Sequence, residues 1–166
     1  NKLIFRSQAA EDGWTLEAAE TSNTGGSLNR GAASLNVGDD AANRQFRGLL
    51  SFDTSALPDN AVITKVTLRI RFLSAAGTDP FGTHGALTVD IRKGAFNGVA
   101  ALEAADFQAA ASKASVGTIP STRTNGWHTR AWTSGILTFV NKTGTTQLRL
   151  RFATDDNNDN GADYVR

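Results

Sequence analysis

From Gln45 to Phe72 the chain reads QFRGLLSFDTSALPDNAVITKVTLRIRF, and its second half alternates without a break. Val66, Leu68, Ile70 and Phe72 fall on one face, and Lys65, Thr67, Arg69 and Arg71 on the other. Successive side chains of a strand point to opposite sides, so a period of two over this length predicts a half-buried β-strand. The shorter run GLLSF places Leu50 and Phe52 in a parity that suits the same core. Between the runs lies DTSALPDNA, whose Pro, Asp and Asn fix φ and hydrogen-bond locally, as turns require. The two strands are therefore expected to pair antiparallel, with the rest of the chain laid beside them.

The same pattern recurs on both sides. Leu3-Ile4-Phe5 reads as a strand or strand edge. Trp14 to Glu17 alternates after a turn, and Leu35 and Val37 are in phase before the Gly38-Asp39-Asp40 turn. Leu87, Val89 and Ile91 alternate with Thr88, Asp90 and Arg92. Trp127 to Trp132 is a further strand candidate. Leu148, Leu150 and Phe152 turn inward against Gln147, Arg149 and Arg151 outward. The Ala-rich stretch 101–113 (ALEAADFQAAASK), free of Gly and Pro, predicts one short helix. Ile136 to Val140 fits either a strand or a short helix. Many short strands, long polar loops and almost no helix predict an all-β fold, a β-sandwich of jelly-roll type with one short helix.

Composition narrows this picture. The 166 residues suit a single domain, residues 1–166, with a core large enough to need no staples. A net charge of +1 gives no general attraction to nucleic acid or to a membrane surface. No apolar run approaches the ~18–20 residues of a membrane span, so membrane insertion is not expected. There is no cysteine, which excludes a disulfide framework and thiolate chemistry. The chain opens without Met or a signal peptide and is expected to be a mature or excised piece.

Three features could carry chemistry. In ATDDNNDNGADYVR, the spacing Asp156-x-Asn158-x-Asn160-Gly161 fits the first half of a calcium loop, and calcium favours six to eight hard oxygen ligands. Asp155, Asn157 and Asp159 offer a competing register, and Asp12, Asp39 or Asp40 from another loop could complete the shell. The alternative is a polar loop whose side chains cap its own turns. Lys65, Arg69 and Arg71 share one strand face, Arg149 and Arg151 another, and Arg92 a third. If these strands are neighbours, all six line one basic surface that could hold the carboxylates of an acidic polysaccharide such as a polyuronate. The alternative is a solvated sheet face that deters edge-to-edge aggregation. Trp14, Trp127, Trp132, Phe81 and Tyr164 are candidates for stacking on sugars, although most Trp in a small β-domain belong to the core or its rim. His84 and His128 are the only histidines, neither sits in a recognisable catalytic arrangement, and neither G-x-S-x-G nor H-E-x-x-H occurs, so no enzymatic activity is expected.

The succession EDGWTLE, LNVGDDAANRQFRGLLSFDTSALP, AVITKVTLRIR, GALTVDIRKGAFNG and TQLRLRFATDDNNDNGADYVR resembles the DNRLRE-type domain across nearly the whole chain. The resemblance implies a β-sandwich module of secreted and cell-surface prokaryotic proteins, related to carbohydrate-binding modules attached to alginate lyases. It implies a non-catalytic role and polysaccharide binding, and supplies no ligand motif to carry over. The eponymous string is absent. In the family the segment like Asp163-Tyr164-Val165-Arg166 runs on into a final strand, whereas here the sequence stops at Arg166. Either the remainder of the expected domain lies outside this sequence, or β-strand addition from another molecule supplies its last strand. Head-to-tail filling would build an open filament, so a structural subunit of an extracellular fibre is the second expectation.

Overall fold

The computed structural model describes residues 1–166. Eleven strands follow in order: β1 (Gly13–Glu17), β2 (Gly25–Arg30), β3 (Val37–Asp39), β4 (Gln45–Asp53), β5 (Val66–Arg71), β6 (Ala75–Ala76), β7 (Leu87–Lys93), β8 (Lys113–Ile119), β9 (Trp127–Trp132), β10 (Thr145–Phe152) and β11 (Tyr164–Val165). All strand-to-strand pairings between them are antiparallel. No helix is long and apolar enough to cross a membrane.

The longest strand, β4, organises the main layer. Its residues 46–49 pair with β1 along one edge, and β2 pairs with β1 beyond. The opposite edge is shared. Phe46 faces Gly38 of β3, while Gly48 to Asp53 face β10, which continues to β7 and β8. The sheet therefore forks at Arg47. The β3 leg folds over the inner face, because a Cβ on Gly48 would lie 3.1 Å from Val37 Cγ2 and 3.2 Å from Leu35 Cδ1. On this leg β11 pairs with β3 on one side and β6 on the other. β3 and β11 approach closely only because Gly38, at φ +140°, has no side chain: a Cβ there would meet the Asp163 carbonyl at 2.0 Å.

Strands β5 and β9 pair only with each other and complete the second layer. The core lies between the layers. Leu87, Val89, Ile91, Leu148, Leu150 and Phe152 from the main layer pack against Leu68 and Trp132 of the second, with Val37 and Ile136. After β4 the chain crosses between layers at β5, returns for β7 and β8, and crosses again for β9, β10 and β11.

Several expectations are corrected. β4 and β5 are not neighbours in one sheet; their apolar faces meet across the core, because the long connection between them crosses from one layer to the other. Residues 101–113 hold only a 3-10 turn, Ala104–Phe107, and the single α-helical turn is Pro80–Thr83. Leu3 to Phe5 forms no strand, and residues 137–139 form a 3-10 turn.

Candidate functional site

The six cations expected on one face are divided between two layers. Parity puts Arg69 and Arg71 on the outer face of the β5–β9 pair, opposite Thr129 and Trp127, and Lys65 adjoins that strand end. All three are exposed. The guanidinium carbon of Arg69 lies 4.7 Å from the Trp127 ring centre and that of Arg71 lies 5.8 Å away. Arginine is attracted to the negative face of an indole at such distances. None of the three has a carboxylate partner among the ion pairs of the structure.

Arg92, Arg149 and Arg151 sit on the other side of the molecule, the outer face of the main layer, where Arg149 faces Asp90 across the β10–β7 ladder. This face is not open. Residues 94–112 fold over it and bury Phe96, Leu102 and Phe107. Arg149 is 6% exposed. Its Nε and Nη2 donate to Asp90 Oδ2 at 3.1 and 2.8 Å, and its Nη1 donates to the carbonyls of Asp106, Phe107 and Ala109. Gln147 holds the same cover: its Oε1 accepts from Phe96 N and its Nε2 donates to Ala100 O. Arg151 shares Asp90 at 3.3 Å, and Arg92 donates to Ala110 O. Burial opposes ionisation of Asp90, but the Ser115 N–H and the Arg149 guanidinium hold its carboxyl below the usual range. Arg149 latches a covering segment, so the six-residue basic face does not form.

In the acidic loop, side chains serve the loop's own backbone. Asp156 Oδ1 accepts from Asn158 N, and Asp159 Oδ1 accepts from Gly161 N. Asn160 exchanges two hydrogen bonds with Asn43, and Asn158 and Asn160 adopt φ of 59° and 57°. These are side chains capping their own turns. Asp155 is exposed. Asp12 is not part of this loop: its Oδ1 accepts from Ser51 N, near the far end of β4 from Asn43. No group of three or more His, Asp or Glu side chains has an arrangement that could hold a metal ion.

Of the aromatic candidates, Trp132 is buried, with Nε1 donating to Val116 O, and Trp14 and Tyr164 pack edge-on against Phe46. Phe81 stacks on His128 and meets Phe152 edge-on. Trp127 alone among the tryptophans is flanked by exposed arginines. Arg123, which strand parity did not reveal, lies 3.8 Å over the Phe72 ring at the neighbouring end of the pair.

One further feature is a cleft of about 320 Å³ between the layers. Ser34 and Leu35 line one wall, Ile70, Arg71 and Leu73 the other, and Leu50 of β4 the floor, with Arg166 at one end and Ser7 and Asp12 also at its boundary. Family models, curated proteins and solved structures contain no match to this chain.

Proposed function

We propose that the chain is a non-catalytic, extracellular β-sandwich module that binds an acidic polysaccharide, of polyuronate type, through the outer face of β5 and β9. One observation carries this reading: Lys65, Arg69 and Arg71 stand exposed along one strand beside Trp127, with no carboxylate to neutralise them. Residues two apart on a strand project about 7 Å from one another, so Arg69 and Arg71 present two planar forks side by side. A guanidinium fork matches a carboxylate in two parallel hydrogen bonds, and stacking on an indole holds it in place. A polymer carrying a carboxylate on every sugar offers the complementary row. The resemblance to the DNRLRE-type domain agrees with this reading and with a cell-surface or secreted location.

Titration with polyuronate against a neutral polysaccharide tests it. Each charge-assisted bond lost is worth about 1.5–3 kcal/mol, so the double variant Arg69→Ala/Arg71→Ala is expected to bind at least about tenfold more weakly. Its thermal midpoint should move by less than about 2 °C, since both side chains are exposed. Wild-type binding should weaken from low to about 1 M salt as the Debye length shrinks to about 3 Å. Unchanged affinity in the double variant, or equal binding to the neutral polymer, would sink the proposal.

A further inference from the structure

The cleft between the layers lies beside the end of β11, with Arg166 at its boundary. β11 runs antiparallel to β6, with Tyr164 opposite Ala76 and Val165 opposite Ala75, and Arg166 exchanges backbone hydrogen bonds with Ser74 and Leu73. Prolonged past Arg166, the same line runs down the free edge of β5, from Phe72 to Val66. On its other side β11 runs antiparallel to β3, with Val165 opposite Val37, so the line also passes Asn36, Leu35 and Ser34. Both of these rails lack partners. β5 pairs only with β9, and residues 32–36 make no backbone hydrogen bond. A strand edge of this kind presents a row of unused N–H and C=O groups, with an apolar floor at Leu50.

We infer that this slot accepts the N-terminal segment Asn1–Ser7 of a second copy of the chain, and that repetition of the contact builds a head-to-tail polymer. The segment carries the apolar run Leu3-Ile4-Phe5 and forms no strand, and its backbone has no hydrogen-bond partner in its own molecule. Leu3 is 52% exposed and Ile4 77%, and on the slot wall Leu73 is 66% exposed. These are three of the five large apolar side chains that the structure leaves exposed, so donor and acceptor share the unsatisfied surface. The free edge from Val66 to Phe72, about 23 Å when extended, is long enough to take the apolar run Leu3-Ile4-Phe5 with residues on both sides of it. Continuing β11, the donor sets Leu3 and Phe5 on one face toward Leu50, Leu35 and Ile70. Ser7 lies at the cleft boundary of its own molecule, so the segment departs from beside one slot and enters another. The donor surface and acceptor surface differ, so the contact does not close on itself and propagates. Strand addition at the edge of β5 leaves the outward faces of Arg69 and Lys65 uncovered.

Light scattering across a concentration series, on the full chain and on a variant beginning at Gln8, tests this directly. The full chain is expected to grow from 17.5 kDa to many multiples, and the variant to remain a folded monomer. A synthetic peptide of sequence NKLIFRS is expected to bind the shortened variant saturably, and Leu35→Glu or Ile70→Asp in the slot to abolish that binding. The same peptide in excess should shorten polymers of the full chain. Polymers formed by the shortened variant would overturn the assignment of the donor. A full chain that stays monomeric while its shortened form binds peptide would show that the segment fills its own slot, and would overturn the second copy as occupant. A monomer whose shortened form ignores the peptide would overturn the slot.

Discussion

At the scale of single residues, the polar side chains of the main layer matter more for what they hold than for what they display. Arg149 satisfies Asp90 and three carbonyls of the covering segment at once. Arg149→Ala would leave the Asp90 charge buried without its main partner, and is expected to cost about 3–5 kcal/mol in denaturant unfolding. A loss no larger than that of an exposed arginine, about 0.5 kcal/mol, would refute the latch. Asp106 gives the site a pH signature. It is fully buried, its Oδ2 accepts from Glu103 N, its Oδ1 has no partner, and burial pushes its carboxyl up to about 6. A folded-state value above the unfolded one means the folded protein binds the extra proton. The contribution is therefore fully present below about pH 4 and lost as pH rises through about 6. Asp90, held low, acts with the opposite sign, its contribution fading as pH falls below about 4. Asp106→Asn is expected to remove the fall between pH 4 and 6, a gain on the order of 2 kcal/mol at pH 7 relative to wild type; superimposable pH profiles would exclude that role. Strand parity showed correctly that Arg149 and Arg151 face away from the core. It could not show that another segment roofs that face, because parity reports direction and not what lies beyond.

At the scale of elements, local patterning and tertiary context divided the outcome. The alternating runs became strands: β5, β7, β9 and β10 lie where the period of two placed them. The Ala-rich stretch 101–113 failed as a helix although its propensity is high, because an isolated helix of that length is marginal. Its backbone carbonyls instead serve Arg149, Arg47 and Arg30 from the sheet and its neighbour. Leu3 to Phe5 failed as a strand for the converse reason, having the pattern but no partner edge within the molecule. In the loop from Asp155 to Asp163 the Asp156 and Asp159 side chains are engaged by their own turns. Removal of divalent cations with a chelator is accordingly expected to leave the thermal midpoint within about 2 °C of its starting value. A calcium ion held at a hundred times its Kd would add about 2.7 kcal/mol, or about 5–10 °C at this size, and a drop of that kind would restore the ion.

At the scale of the whole molecule, the two layers explain why one strand can serve two purposes. The outer face of β5 carries the exposed cations, its inner face carries Leu68 into the core, and its free edge borders the slot. Lys65 and Arg69 lie clear of the slot, whereas Arg71 also lines it, so a polymer on the face and a strand at the edge share that one side chain. The sequence by itself determined the class of fold, the strand positions, the inward apolar set and the polar side of each strand. All of these follow from short-range periodicity and turn chemistry, which one chain displays directly. Only the tertiary structure decided that β4 and β5 belong to different layers, that Arg149 is a buried latch while Arg69 is free, that Asp12 stands apart from the acidic loop, and that a cleft borders the unpaired edge of β5. Each of those depends on which segments distant in the chain meet, and neither the period of a strand nor the residues of a turn carries that information.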